Sequence, residues 1–263
     1  MAQIRFQNPQ NPADSFFNAL RVKVDTYFKK NKIKQTGDFR LYLKTIILFV
    51  GLALFYTILV FFTPENIWVS LGICSLMGIN LAAIGFNVMH DGAHGSYSGK
   101  KWVNNLMGYV LNFLGGNVDI WKQKHNNNHH SFTNIEGMDD DIDLKPLMRV
   151  SPTQKKYWMH RFQHIYGLFL YGLTYLSWVF MADFKKYFTG KIADFTKTKK
   201  MTFKEHFFSV WFSKVFYVCL FIVLPIFMVG LLETVVGYLV MAFVTGLMIA
   251  IVFQLAHVVE DAH

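Results

Sequence analysis

Four stretches without charged residues divide the chain into apolar and polar regions. They cover residues 45–64, 66–89, 215–232 and 234–256. An α-helix rises about 1.5 Å per residue, so roughly 20 apolar residues cross a hydrocarbon core about 30 Å thick. Glu65 alone separates the first two stretches, and Glu233 alone separates the last two. The pattern therefore predicts an all-α integral membrane protein with four transmembrane helices in two hairpins.

Two further apolar stretches, 102–117 and 162–182, lie in the long segment between the predicted hairpins. The first is short for a span and is interrupted by Asn104, Asn105 and Asn112. The second is long enough, but crossing would place the lysines of 185–204 on the face opposite to the other basic residues. We predict that both form helices lying in the membrane interface, where tyrosine and tryptophan are common.

The positive charge is unevenly distributed. The chain has 26 Lys and Arg against 17 Asp and Glu, a formal net charge of +9. Apart from Lys214, the basic residues lie before residue 45 or between 100 and 204, and the two hairpin turns have none. This positive-inside pattern places the N-terminus and the middle segment on the cytosolic side, with affinity for anionic lipid head groups, and argues against a nucleic-acid partner. We expect a cytosolic lead-in, 1–44, and a membrane domain, 45–263.

Several common site types are excluded by the motifs. Cys74 and Cys219 both fall inside predicted spans, so we expect buried thiols rather than a disulfide or a thiolate metal site. The chain has no glycine-rich phosphate loop and no Gly-x-Ser-x-Gly motif. The acids of 139–143 lack the spacing and glycine of a calcium loop, so a helix cap, a lysine-facing surface or support of a metal ligand is expected there.

Two histidine clusters carry the chemical information. HDGAH covers 90–94 at the end of the second predicted span, and HNNNHH covers 125–130. Residues four apart lie on one helix face, so His90 can share an ion with His94, and His125 with His129. Neutral imidazole binds iron, copper and zinc. We predict that these four histidines and His130 form a metal site at the membrane surface.

Other side chains are weaker candidates for the same site. His257 lies at the cytosolic end of the fourth predicted span, where an ionisable group is usually functional, so we include it as a ligand. His160 and His164 are also four apart, and they could complete the metal sphere, support it, or form the polar face of an interfacial helix. Asp91 could orient a ligating imidazole through its second nitrogen.

The number of imidazoles indicates the chemistry. A zinc site takes three or four protein ligands, fewer than the six histidines proposed here, and zinc has no redox role. Iron with open coordination positions activates oxygen. A methylene group of a lipid chain is too weakly acidic to be deprotonated by any side-chain base. An oxygen-activating metal beside the bilayer could remove its hydrogen.

At these residues the chain resembles the membrane-bound fatty acid desaturases. HDGAH at 90–94 and HNNNHH at 125–130, with Trp121 before it and SFTN after it, resemble that family's first and second histidine boxes. FQHIY at 162–166 and QLAHVVE at 254–260 are most similar to the acyl-lipid and linoleoyl-CoA "front-end" branch. The resemblance implies two iron ions, use of O2, an external electron donor, and insertion of a double bond into an acyl chain on lipid or CoA. The implied iron ligands are His90, His94, His125, His129, His130 and His257.

Two departures from that family shape the expectations. The His-Pro-Gly-Gly motif of a fused cytochrome b5 is absent, so a separate ferredoxin or cytochrome b5 is expected as donor. The family's Gln-x-x-His-His box after the fourth span is also absent, so we expect either a piece of a longer protein or an incomplete site. The alternatives are a related di-iron hydroxylase or ketolase, and a membrane protein without activity.

Overall fold

A computed structural model describes residues 15–257 of the chain, and the backbone alone of His257. Within this range the chain forms eight longer helices, the short 3₁₀ helix Asp140–Ile142 and one short antiparallel β-hairpin. The elements are α1 Phe16–Lys30, α2 Phe39–Phe61, α3 Ile67–His94, α4 Lys101–Phe113, α5 118–129, α6 Trp158–Thr189, β1 Lys191–Ala193, β2 Thr196–Lys197, α7 Glu205–Val229 and α8 Leu231–His257.

Polar caps fix where the helices begin. The Asp38 carboxylate accepts a hydrogen bond from the Arg40 backbone N–H and starts α2. The Asn66 side chain accepts bonds from two backbone N–H groups at the start of α3. These caps satisfy N–H groups that the first helical turn leaves without a partner.

Among the described residues, five helices are long and apolar enough to cross a membrane: Phe39–Phe61, Ile67–His94, Trp158–Thr189, Glu205–Val229 and Leu231–Ala256. The prediction of an all-α membrane fold therefore agrees with the structure. The count of four spans is not confirmed, because α6 contains the stretch 162–182 that we assigned to the interface and also meets the length criterion. The other predicted interfacial stretch forms α4, which has 13 residues and is too short to span.

Small residues let the long helices pack closely. A Cβ atom on Gly78 of α3 would lie 2.6 Å from the Met241 carbonyl oxygen of α8. A Cβ atom on Gly246 of α8 would lie 2.5 Å from the Gly172 carbonyl oxygen of α6. Glycine at these positions allows backbones to approach, as is common between membrane helices. α8 is therefore packed between α3 and α6, and its C-terminal half reaches the end of α3 that carries the first histidine cluster.

The two cysteines are free thiols, but the prediction that both are buried is wrong for Cys219. Cys74 is buried and Cys219 is exposed. Neither takes part in a disulfide in the described part of the chain.

Both histidine clusters coincide with widened helical turns. The stretch Gly85–His90 of α3 and the stretch Gln123–His129 of α5 are π-helical. Such turns bond residue i to i+5 rather than i+4, and they often occur at functional sites. The sequence predicted ordinary helix here, so the relation between histidines five apart was not anticipated.

Candidate metal centre

The first histidine pair is held at the end of α3 by α4. A Cβ atom on Gly92 would lie 2.6 Å from the Gly108 nitrogen, so only glycine allows α4 to pack this closely. Gly95 then adopts φ 78°, a left-handed conformation that ends the helix. His90 and His94 are thereby held together, with ring centroids 4.4 Å apart.

The second cluster is positioned by the turn between α4 and α5. Asn112 and Asn117 both donate side-chain hydrogen bonds to the Ser209 carbonyl oxygen of α7, at 3.0 and 3.2 Å. The Asn117 side chain also caps α5, since its oxygen accepts from the Asp119 and Ile120 backbone N–H groups. The start of α5 is therefore anchored to α7, and this fixes where its histidines point.

His125 is held between aromatic rings. Trp121, one turn earlier on α5, stacks on its ring with centroids 4.3 Å apart and an interplanar angle of 22°. Phe253 of α8 approaches the same ring edge-on at 5.8 Å. The imidazole of His125 is 1% exposed, so its orientation is set by packing.

The two clusters meet at His125. Its Nε2 atom lies 3.2 Å from the Nε2 atom of His90 and 3.2 Å from that of His130. The second distance depends on the π-helical turn, which brings residues five apart onto one side. Nitrogen atoms bound to one ion at about 2.1 Å lie roughly 3 Å from each other. The observed spacing therefore suits a shared metal ion.

Among the described residues, two groups place donor atoms within 4.8 Å of one another. One contains His90, His94 and His125, and the other contains His125, His129 and Asp141. The two groups share His125. Each group could hold one metal ion, and since a neutral imidazole has a single lone pair, His125 would bind one of these ions and not both.

Two carboxylates lie on the Nδ1 side of the imidazoles of α5. The Asp139 Oδ2 atom is 2.9 Å from His129 Nδ1, and both side chains are almost completely buried. The Asp141 carboxylate is 3.3 Å from His129 Nδ1 and 4.0 Å from His125 Nδ1. A carboxylate on one ring nitrogen fixes the tautomer and directs the other nitrogen toward a metal. Asp141 is itself close enough to supply a ligand oxygen.

Protonation equilibria of this group follow from burial and from these charges. Burial lowers the pKa of His125 to about 2, against the opposing effect of Asp141, so the ring is neutral and able to bind a cation. Burial acts in the same direction on His129, but the hydrogen bond to Asp139 and the charge of Asp141 outweigh it and raise the pKa of His129. Burial likewise opposes ionisation of Asp141, yet Lys124, 2.6 Å away, lowers its pKa to about 2.

The donor set fits transition-metal ions that prefer imidazole with some carboxylate, among them non-haem iron. Five histidines from two separate helices converge, and the side chain of His125 faces both donor groups. The structure therefore brings together the five histidines that the sequence proposed as ligands, and their binding of a metal stays a prediction.

The remaining sequence candidates occupy other positions. His160 is buried, but its Nε2 faces the Pro146 carbonyl oxygen at 2.8 Å and its Nδ1 accepts from the Tyr157 backbone N–H, so it stabilises a loop away from the cluster. His164 is exposed on α6.

Asp91 lies 3.7 Å from His90 Nδ1, beyond hydrogen-bond distance. The side chain of His257 lies outside the described residues.

The sequence interpretation missed Asp141 as a candidate ligand. The spacing of the acids of 139–143 excludes a calcium loop but does not assign a role to each acid. One feature of the sequence pointed toward these acids, because Lys124 directly precedes His125 and is a possible partner for a carboxylate. In the structure Lys124 pairs with both Asp140 and Asp141. Which acid faces His129 depends on the short helix Asp140–Ile142, which sequence spacing does not reveal.

Replacing Asp139 with asparagine is expected to weaken metal binding at the histidine cluster by about 10- to 100-fold, the usual effect of losing a carboxylate behind a metal-binding imidazole. The amide keeps one oxygen for the Asp141 backbone N–H but cannot offer two acceptor oxygens to both that group and His129. Competition with a chelator of known affinity measures the change.

The control for this substitution is Asp143→Asn, on the same loop. The Asp143 carboxylate is partly exposed and pairs with Lys145 rather than with a histidine. Equal metal affinities for the two variants would contradict the orienting role of Asp139.

Comparison with known proteins gives a consistent match. Residues 66–263 match the family model described as "Fatty acid desaturase". The chain is 36% identical over 99% of its length to the acyl-lipid (8-3)-desaturase of Physcomitrium patens. It is 34% identical over 94% of its length to the sn-1 linoleoyl-lipid 6-desaturase of Arthrospira platensis, and 32% identical over 94% to a protein of the same description from Synechocystis.

The match covers different shares of these relatives. The chain spans 54% of the Physcomitrium protein, 67% of the Arthrospira protein and 68% of the Synechocystis protein. No solved structure matches the chain.

Proposed function

Because the chain belongs to the fatty acid desaturase family, we propose that it introduces a double bond into the acyl chain of a membrane lipid, with two iron ions held by the histidine cluster and O2 as oxidant. The observation that carries this proposal is the pair of donor groups that share His125, where the end of the membrane helix α3 meets α5. We propose an acyl-lipid substrate rather than acyl-CoA, because the relatives are named for acyl-lipid and linoleoyl-lipid substrates.

Iron bound by His90, His94, His125, His129 and His130 would supply the O2 activation that hydrogen removal from an unactivated methylene requires. Asp141 is a further ligand candidate, and Asp139 orients His129. In the overall reaction two hydrogens leave adjacent methylenes with two electrons. O2 takes these, two further electrons from an external donor and two protons from water, and forms two waters. A ferredoxin or a cytochrome b5 is the proposed donor. We retain His257 as a proposed ligand.

A cavity of about 520 Å³ opens beside His125 and His129 and suits a lipid substrate. Trp178, Ile249 and Phe253 form an apolar wall next to the histidines, where an acyl chain can lie and water is excluded. Lys145 and Lys185 lie at the same cavity and can face a polar head group.

For the membrane arrangement we propose four crossing helices, α2, α3, α7 and α8, with α4 and α6 in the cytosolic interface. Contacts at the two ends of α6 support this. Lys186 near its C-terminal end pairs with Asp140 at 2.9 Å, and Gln163 near its N-terminal end exchanges two hydrogen bonds with the Arg149 backbone. A loop carrying these charges runs beside α6, which suits an interfacial helix better than one surrounded by hydrocarbon.

The same proposal places residues 1–44 and the histidine cluster on the cytosolic side, as the positive-inside pattern indicates. Residues 1–44 then form a cytosolic lead-in, and 45–263 belong to the desaturase domain.

Product analysis tests the proposed function. The chain is produced in a host whose membranes supply 18-carbon acyl lipids, together with a ferredoxin or cytochrome b5 reductase system, and total fatty acids are compared by gas chromatography and mass spectrometry. A new fatty acid lighter by two hydrogens is expected, absent from the His94→Ala variant. A hydroxylated or keto product would replace the desaturase assignment by a hydroxylase or ketolase, and an unchanged fatty-acid profile would contradict both.

A further inference from the structure

Helix α1 has an apolar side that the other described residues leave exposed. None of the α1 residues is buried. Phe16 is 80% exposed, Phe17 67%, and Leu20, Val24 and Tyr27 are also exposed. At about 100° per residue these five side chains fall within an arc of about 100° on one side of the helix. Such a surface is unfavourable in water and requires a partner.

Basic side chains border this apolar side. On the same helical projection Arg21 lies at one edge of the arc, and Lys23 and Lys30 lie at the other. Lys29 lies on the polar side, together with Asn18, Asp25 and Thr26. Basic residues flanking an apolar stripe are typical of helices that lie in the plane of a membrane, because their long side chains reach the head groups while their stems cover apolar surface.

The position of α1 in the chain keeps it at the membrane surface. Residues 31–38 connect it to α2, which is a membrane-spanning candidate. The Gln35 side chain donates to Asp25 of α1 at 2.9 Å, and the Gly37 backbone N–H donates to the Ser96 carbonyl oxygen at 3.0 Å. The connection is therefore bonded at one end to α1 and at the other to the segment that follows His94.

We propose that α1 lies in the membrane interface, with Phe16, Phe17, Leu20, Val24 and Tyr27 inserted among the acyl chains and its lysines and arginine on anionic lipid head groups. Charge complementarity supports anionic lipid as the partner. Lys32 and Lys34 extend the basic surface beyond the helix, and Asp25 and Asp38 are the acidic residues between 15 and 44. Each basic residue near an anionic leaflet adds to binding.

Depth measurements on the whole chain test this placement. A single spin label is attached at Leu20→Cys or at Thr26→Cys in a background in which Cys74→Ser and Cys219→Ser remove the native thiols. Leu20 is on the apolar side, and Thr26 is an exposed matched control on the polar side. The protein is reconstituted in nanodiscs of phosphatidylcholine with phosphatidylglycerol, and the collision rates of each label with O2 and with a water-soluble nickel chelate are compared.

The ratio of O2 to nickel collisions is expected to be several-fold higher at Leu20 than at Thr26, because O2 concentrates in hydrocarbon and the chelate stays in water. Omitting phosphatidylglycerol is expected to reduce this difference. The proposal would be overturned if the ratio of O2 to nickel collisions were equally low at both positions. It would also be overturned if the Leu20 label became protected only on adding the soluble electron-donor protein, which would identify α1 as a protein-docking helix.

Discussion

Replacing His125 with alanine is expected to remove more iron from the protein than replacing any other histidine of the cluster. His125 belongs to both donor groups, whereas His94 belongs to the first alone and His129 to the second alone. If the unmodified protein binds about two irons in neighbouring positions, His94→Ala and His129→Ala should each retain part of this iron, and His125→Ala should retain almost none. Desaturated product should be lost in all three variants.

Iron per chain is measured by mass spectrometry of metal content on detergent-purified protein and expressed relative to the unmodified chain. His164→Ala is the matched control, because His164 is exposed on α6 and is not part of either donor group. If His125→Ala kept as much iron as His129→Ala, iron binding would not depend on the residue common to both donor groups.

The different positions of the histidines in the cluster show which of their contacts the sequence predicts and which it does not. The spacing of four residues correctly paired His90 with His94 and His125 with His129, because helical periodicity is a local property. The position of both clusters beside an apolar run correctly predicted that they would converge. The central place of His125 depends on the π-helical turn that brings His130 to it, and on packing by Trp121. Neither is encoded in the spacing.

The acids were harder to assign than the histidines for a related reason. Asp139 faces His129 because the Asp139 carboxylate also accepts hydrogen bonds from the Asn134 and Asp141 backbone N–H groups, which fold the loop around it. These contacts join residues across a loop without periodicity. The sequence left a helix cap, a lysine-facing surface and support of a metal ligand open for these acids, and did not indicate which member would lie against the imidazole.

The apolar runs predicted which helices exist better than where they end. The run 45–64 lies largely within α2, yet α2 begins at Phe39 because Asp38 caps it there. α7 begins at Glu205, before the charge-free run at 215. A charge-free run marks the part of a helix suited to hydrocarbon, while caps and tertiary contacts determine the helix length.

The length and composition of α6 do not determine whether it crosses the membrane or lies in the interface. Its apolar residues are compatible both with crossing the membrane and with the interface. Its contacts with α8 at Gly172 and Gly246, and with the loop of Asp140 and Arg149, are tertiary. Charge placement led the sequence interpretation to the interface, and the loop contacts support that position.

Lys214 is the residue outside the metal centre whose replacement should have the largest effect on stability. It lies on α7 and is 7% exposed. Its ammonium group donates to the carbonyl oxygens of Gly115 and Val179, at 2.5 and 2.7 Å, and pairs with Asp183 at 3.2 Å. A buried ionisable group in a membrane protein is usually partnered and functional. Here one side chain joins α7, α6 and the turn that leads into α5.

The Lys214→Met variant is expected to lose about 3–5 kcal/mol of stability, because it leaves the Asp183 carboxylate buried without its cation. The apparent melting temperature in detergent should fall by on the order of 10 °C. Lys185→Met is the matched control, since Lys185 is exposed on α6, close to Asp183 in sequence. Intrinsic fluorescence during a thermal ramp measures both variants.

The same variant should also lower iron content, because the turn held by Lys214 sets the start of α5. Gly115 has φ 86°, and a Cβ atom there would lie 3.0 Å from the Tyr217 ring, so this turn has little freedom to repack. In the double variant Lys214→Met/Asp183→Leu no carboxylate is left unpaired, so part of the lost stability should return. The Gly115 carbonyl still lacks its donor, and iron content should therefore stay low. Recovery of iron together with stability would show that Lys214 acts through the charge of Asp183 and not by holding the turn.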